Sequence, residues 1–278
     1  MHSPILVAGA LVVTLGSVDA RGYCRTTTVH VPSGYDPSDA GCWKEGTPIA
    51  WPAGQRVSYS LVSNASRQID LADATAIAHQ AFAAWNDAPC RSGAPSVQAY
   101  DDGPVDAALA ATDCGLHPCD ASVHDGLHVI VFRDDEWPYN DYTNTVALTT
   151  VTYGVDTGTI FDADIEVNTF RNTLTTQEPP PPGTIALRAI LTHEAGHFFG
   201  LAHAADKSSI MYWLYQSGMI DLTADDVAGV CAIYGQTDSK SGGCAAAPAR
   251  AGEVGAFAVV AALALALSRR RGRQASTG

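Results

Sequence analysis

The sequence predicts an α+β domain, and two kinds of pattern carry that prediction. Short apolar or alternating segments at 56–62, 127–132 and 159–168 have the length and period of β-strands. Longer segments at 70–87 and 224–234 have the spacing of helices that bury one face. Because both kinds of segment follow one another along the chain, we expect a sheet covered by a few helices.

The predicted elements can be placed in chain order. Residues 21–50 contain turn-forming residues and two cysteines, and are predicted to be an irregular, disulfide-tied extension. The main domain is expected over residues 51–235. Its predicted strands are 56–62, 96–100, 127–132, 146–153 and 159–168; its predicted helices are 70–87 (with Ile69, Ala76, Ile77, Phe82 and Trp85 on the buried face), a helix with N-cap Thr184, and 224–234 after the cap Thr223.

One stretch carries the chemistry, and it reads H-E-x-x-H-x-x-G-x-x-H from His193 to His203. On a helix, His193 and His197 are four residues apart, so both imidazoles project from one face. His203 would lie on the far side if the helix continued. The helix therefore has to end, and Gly200 can adopt the left-handed conformation that ends helices. The turn is expected to bring His203 back as a third nitrogen ligand.

Three histidines with one open position are typical of a catalytic zinc site, whereas structural zinc sites are closed by four protein ligands. Bound zinc lowers the pKa of its water to about 7. Glu194 lies beside the first ligand and can reach that water rather than the metal, so we expect it to act as general base and then as general acid. The plain alternative is a helix whose histidines align by chance.

The histidine motif and the following Ser209-Ile210-Met211-Tyr212 resemble the metzincin zinc endopeptidases. The order of elements and the stretch 222–235 (Leu-Thr-Ala-Asp-Asp-Val-Ala-Gly-Val-Cys-Ala-Ile-Tyr-Gly) are similar to the matrixin branch, over about residues 51–235. The resemblance implies a twisted, mostly parallel five-stranded sheet with three main helices. It also implies one catalytic Zn²⁺, with Met211 as the apolar floor under the metal.

The same resemblance implies an endopeptidase that acts on protein or peptide substrates. The strand at 146–153 would be the edge strand that runs antiparallel to the substrate, with Thr149 as a candidate substrate-binding residue. Tyr215 falls where matrixins have a tyrosine that lines the pocket beside the scissile bond. Two residues depart from the family pattern, since Ala204 replaces the usual serine and Trp213 the usual proline.

Two other classes of function stay open at this point. One is a catalytically silent, zinc-bearing surface protein that binds a partner, although such a protein has no need of Glu194 as a base. The other is a zinc hydrolase that acts on non-peptide amides. Analysis of the reaction products separates these alternatives from an endopeptidase.

The composition is acidic, with a formal net charge of −13 over 278 residues. This charge argues against a nucleic-acid-binding or anionic-membrane-binding function. Ca²⁺ is possible among the carboxylates: residues 134–136 form one acidic run, and Asp162, Asp164 and Glu166 alternate with apolar residues on the last strand. The alternative for the first group is a solvated acidic turn, and for the second a solvated face of the sheet.

Cysteines and histidines outside the motif give further expectations. We expect Cys24 to pair with Cys42 in the extension, although a free Cys42 could instead block the zinc, and we expect Cys114 and Cys119 to form a disulfide knuckle. The other pairings stay open, because six cysteines allow 15 of them. His124 and His128 lie near Asp125 and suggest a second metal site, but ordinary polar histidines are favoured there.

Both ends of the chain resemble targeting segments. Residues 1–20 are predicted to be a signal peptide. After a linker at 236–243, residues 244–278 contain a lone cysteine, an apolar run and an arginine cluster, which resembles the C-terminal sorting tags of bacterial surface proteins; a membrane anchor is the alternative. We therefore expect a monomeric bacterial protein that is secreted or attached to the envelope.

Overall fold

A computed structural model describes residues 22–32, 34–106, 126–139 and 145–235. These residues belong to one unit, Met1–Asp238. The predicted signal peptide, the Cys114 and Cys119 pair, His124 and the C-terminal tail lie outside the described residues. Within the described ranges, every helix is too short or too polar to cross a bilayer.

Thirteen helices and strands make up the described part of the chain. In order, they are β1 (Cys24–Arg25), α1 (Pro37–Ala40), β2 (Arg56–Leu61), α2 (Leu71–Asn86), β3 (Gln98–Asp101), β4 (Val129–Phe132), β5 (Ala147–Tyr153), β6 (Ile160–Val167), β7 (Leu174–Thr175), β8 (Ile185–Ala186), α3 (Leu187–Phe198), β9 (Leu201–Ala202) and α4 (Ala224–Tyr234). The extension thus contains β1 and α1, so the prediction of an irregular segment is only partly right.

The main sheet has five strands in the order β3-β2-β4-β6-β5. Strands β2, β3, β4 and β6 are parallel to one another, and β5 runs antiparallel to β6 at the edge. The reversal follows from the tight turn at 154–159, which joins β5 directly to β6 as a hairpin. The α+β fold with a mostly parallel five-stranded sheet is confirmed, and the strand expected at the edge, β5, lies there.

Helices α2 and α3 pack together over the sheet, and aromatic side chains fill the space between them. Phe82 stacks on Tyr59 at 4.0 Å between ring centroids and meets Phe198 edge-on at 5.2 Å. The Trp85 indole N–H donates to the Thr192 carbonyl at 2.8 Å, which fixes α2 against α3. The predicted buried face of α2 is right except at one position: Ala76 is exposed, and the small residues that allow close packing are Ala74, Ala78 and Ala81.

The start of α3 differs from the prediction. Helix α3 begins at Leu187, and Thr184 does not cap it, because its hydroxyl donates to the Pro181 carbonyl at 2.7 Å. Residues 185–186 are extended since they pair with β7 as β8, so the helix cannot begin earlier. The cap of α4 is confirmed: Thr223 and Asp226 form a reciprocal capping box.

The acidic face of β6 is the largest disagreement with the sequence analysis. Asp162, Asp164 and Glu166 are at most 5 % exposed, so the alternative of a solvated face is wrong. Buried carboxylates need partners, and the sequence-distant elements provide them. The partners are the His128 ring for Asp162 (2.5 Å), the Val129 N–H for Asp164 (3.0 Å), and the Arg133 guanidinium and the Tyr139 hydroxyl for Glu166.

The two other candidate metal sites, at His128 and at residues 134–136, make hydrogen bonds within the protein. His128 is buried against Asp162 and the Trp51 ring, as expected of a structural histidine. Asp134 accepts hydrogen bonds from the Ser66 hydroxyl and the Arg67 backbone, at 2.9 and 2.8 Å. Neither group is among the described clusters of three or more residues that can share a metal ion.

Two disulfides tie distant parts of the chain. Cys24–Cys42 closes the extension, as predicted, and removes Cys42 as a free zinc-blocking thiol. Cys90–Cys231 joins the loop after α2 to α4, across 141 residues of sequence. This second pairing was left open by the sequence analysis, because no local spacing indicates it.

Candidate metal centre

The three histidines of the motif converge at the exit of α3. His193 and His197 lie on the helix, the chain turns at Gly200 with φ +86°, and His203 follows β9. The ring centroids are 4.9 Å apart for His193 and His197, 5.3 Å for His193 and His203, and 4.9 Å for His197 and His203. One ring nitrogen from each lies within 4.8 Å of the others, so the three can hold one ion.

The hydrogen bonds of the rings fit a metal. His193 Nδ1 lies 2.7 Å from the Ile210 carbonyl, and His197 Nδ1 lies 2.8 Å from the Leu201 carbonyl. A carbonyl oxygen only accepts, so each Nδ1 carries the proton and Nε2 presents its lone pair. Burial, and then the neighbouring histidines, lower the pKa of His197 well below its usual value. Neutral imidazoles with fixed tautomers are what Zn²⁺ requires of its ligands.

Glu194 is the buried carboxylate of the centre. It is 6 % exposed, and the Thr149 hydroxyl of edge strand β5 donates to its Oε2 at 2.6 Å. Burial raises the pKa of Glu194, while His193 and the Thr149 hydrogen bond act in the opposite direction. The structure thus brings Thr149, a candidate for substrate binding, directly to the candidate base.

Met211 is 1 % exposed and packs against Gly196 of α3, where an added Cβ would lie 2.2 Å from its Sδ. Its role as the floor under the metal stays a prediction. Asp226 holds the turn that carries Met211, accepting from the Ser209 hydroxyl at 2.5 Å and from the Ile210 backbone at 3.1 Å. By its place in the sequence, Asp226 is an acidic residue in the favourable first turn of α4. Its position three residues after the cap Thr223 was the available signal for a second role, since a capping-box side chain points back toward the preceding loop.

The loop after Met211 lies between α3 and the extension. The Tyr215 hydroxyl accepts from the Ala186 backbone at 3.2 Å, which ties the loop to the start of α3. Trp213 is 46 % exposed. Hydrogen bonds from Ser38 are the main cause of the lowered pKa of Asp36, and the Trp213 side chain contributes, so the extension approaches this loop. Contact of Tyr215 with substrate stays a prediction.

Comparison with known proteins covers the C-terminal part of the described chain. Residues 129–235 match the model of the peptidase M10 family, matrixin. Metalloendoproteinase 1-MMP of Arabidopsis thaliana is 43 % identical over 53 residues, which are 18 % of this chain and 15 % of that protein. Interstitial collagenase of Bos taurus is 43 % identical over 56 residues, which are 20 % of this chain and 12 % of that protein. Matrilysin of Rattus norvegicus is 46 % identical over 50 residues, which are 17 % of this chain and 19 % of that protein. The chain therefore spans less than a fifth of each of these relatives.

The fold and the histidine triad resemble a metzincin-type metal centre. The matrixin match and the relatives narrow this class, and they support a matrixin-like metzincin. The relatives that match carry the names of metalloproteinases, and zinc is the metal that the family implies.

Proposed function

We propose that this chain is a zinc-dependent endopeptidase in which Glu194 is the general base and acid. The observation that carries the proposal is the convergence of His193, His197 and His203 beside a buried, hydrogen-bonded Glu194. A binding protein would need the histidines but would have no use for a carboxylate held there.

The residues of the centre divide the reaction between them. Zinc held by the three histidines would supply a Lewis acid that makes a water acidic and polarises the scissile carbonyl. Glu194 would take the proton of the attacking water as the new C–O bond forms, and would pass it to the amine nitrogen as the C–N bond breaks. Thr149 orients this carboxylate through its hydrogen bond to Oε2. Met211, which is buried, would form the apolar floor under the metal.

The edge strand gives the substrate a place to bind. Strand β5 lies last in the sheet order, so one side of its backbone is turned away from β6. An extended peptide could add to that side by main-chain hydrogen bonds, with pockets for alternate side chains. Tyr215, which bonds to the start of α3, would line such a pocket.

We further propose that the protein works outside the cytoplasm. Two disulfides in one domain are typical of an oxidising compartment. The signal peptide at 1–20 and the sorting tag or anchor at 244–278 remain predictions, as do the monomeric state and Ca²⁺ binding.

The experiment uses purified full-length chain and an unfolded generic protein as substrate. We expect one zinc per chain, new peptide N-termini among the products, loss of cleavage on chelation and recovery on adding zinc. Tightly bound zinc without cleavage of any unfolded protein would favour the binding-protein alternative. Release of a non-peptide amide product alone would favour the other hydrolase class.

A further inference from the structure

We propose that the N-terminal segment Gly22–Thr26 is a positioning element of the metal centre. It would fix the backbone beyond α3 so that the rings of His197 and His203 are oriented to bind the ion. The inference rests on the proposed function, because it takes zinc as the ligand of the triad. The segment lies far outside the residues that match the matrixin family.

His203 needs such support because it lies beyond the end of α3 and its side chain is exposed. Strand β1 pairs antiparallel with β9, and β9 consists of the two residues that immediately precede His203. The Thr26 N–H donates to the Gly200 carbonyl at 3.0 Å before His203, and the Ala205 N–H donates to the Gly22 carbonyl at 2.9 Å after it. The N-terminal segment therefore fixes the backbone on both sides of the third ligand.

The same segment reaches the second ligand through one carbonyl. The Leu201 carbonyl accepts from His197 Nδ1 at 2.8 Å and from the Thr26 hydroxyl at 2.9 Å. A carbonyl oxygen has two lone pairs, so it can accept both bonds. Thr26 thereby holds the acceptor that orients the His197 ring, and groups that orient metal ligands in this way affect metal affinity.

The segment is itself fastened to the domain. Cys24 is bonded to Cys42, the Arg25 guanidinium donates to the Ile49 carbonyl at 2.9 Å, and the Ile49 N–H donates to the Thr26 carbonyl at 2.9 Å. Gly229 of α4 leaves room for Tyr23, since a Cβ there would lie 3.1 Å from the tyrosine Cβ. This segment of the extension is therefore a working part of the catalytic domain, and its removal would weaken the metal centre.

The first test compares Thr26→Val with Thr26→Ser in the full-length chain. Valine keeps the shape and removes the hydroxyl donor, whereas serine restores the donor. The readout is the zinc Kd, measured by competition with a chromophoric chelator. We expect Thr26→Val to bind zinc about tenfold more weakly and Thr26→Ser to stay close to wild type. Equal affinity of all three proteins would overturn the inference.

The second test compares the two disulfides. Cys24→Ser/Cys42→Ser releases the N-terminal segment, and Cys90→Ser/Cys231→Ser is the matched control away from the triad. The control disulfide spans 141 residues against 18, so its loss should cost more global stability. We nevertheless expect the larger loss of zinc affinity in Cys24→Ser/Cys42→Ser. Zinc affinity that follows global stability would overturn the inference.

The outcomes separate this inference from the proposed function. Wild-type chain that binds no zinc contradicts the proposed function and removes the basis of the inference. Wild-type chain that binds zinc and cleaves protein, with all the variants binding equally well, contradicts the inference alone.

Discussion

Gly196 lies in the histidine motif, where α3 packs closely against Met211 and Trp85. A Cβ at this position would lie 2.2 Å from Met211 Sδ and 2.8 Å from Trp85 Cζ2. Both neighbours are buried, at 1 % and 0 % exposure, and Trp85 is also fixed by its hydrogen bond to α3. The methyl group of Gly196→Ala can therefore be accommodated only if Met211 moves.

The expected cost follows from two opposing effects. Overpacking a core costs about 1–3 kcal/mol, and three contacts below 3.0 Å put this case in the upper part of that range. Alanine is a better helix former than glycine by about 1 kcal/mol, which offsets part of the cost. We expect a net loss of about 1–2 kcal/mol in the free energy of unfolding. For a domain of this size, that corresponds to a fall in Tm of about 2–8 °C.

Thermal unfolding of the zinc-free protein measures this cost without a contribution from metal binding. Ala76→Gly, at an exposed position of α2, measures the helix-propensity effect alone, about 1 kcal/mol. Combining Gly196→Ala with Met211→Ala should cost less than the sum of the single changes, because the shortened side chain makes room. A Gly196→Ala variant as stable as wild type, or strict additivity in the pair, would refute the steric account.

Three further changes test the surroundings of the centre. Thr149→Val removes the hydrogen bond that orients Glu194. We expect kcat/KM for peptide cleavage to fall about tenfold while the zinc content is unchanged. A loss of zinc would contradict a role of Thr149 that acts through Glu194 alone. Asp226→Ala removes the acceptor of several buried hydrogen bonds and should lower the free energy of unfolding, measured in urea, by about 3 kcal/mol or more. A loss below about 1 kcal/mol would contradict the role of Asp226 in holding the turn. Arg188 donates two hydrogen bonds to Glu178 and lowers the pKa of that carboxyl. The pair therefore stabilises the fold at pH values above the pKa of Glu178 in the unfolded chain, and this contribution is lost as the pH falls through its pKa in the folded chain. Glu178→Gln should therefore lower the free energy of unfolding at pH 7 by about 1 kcal/mol or less, and have no effect in acid. An equal effect at both pH values would exclude the ion pair as the cause.

The features that the sequence predicts well are those that depend on local pattern. The helix exit at Gly200 follows from glycine's freedom at positive φ, and the α4 cap follows from the Thr223 and Asp226 spacing. The edge position of β5 is implied by the resemblance to matrixins and not by periodicity. The convergence of the histidines needed both the local spacing and the turn.

The features that the sequence does not predict depend on partners far along the chain. Alternation along β6 predicts that Asp162 and Glu166 share one face. Whether that face is solvated depends on His128 and Arg133, which lie at the two ends of β4 and bond to these carboxylates. Thr184 is a good cap by residue type, yet pairing of β8 with β7 holds the next residues extended. Strand β1 is two residues long, below the length at which periodicity is readable.

The most direct test of the account is the rate of cleavage of an unfolded protein by Glu194→Ala, compared with wild type at equal zinc occupancy. Removing a general base that leaves the ligands intact should reduce kcat roughly 100- to 10,000-fold while one zinc per chain is retained. Zinc-loaded Glu194→Ala that cleaves at the wild-type rate would contradict the role of this carboxylate and with it the proposed mechanism.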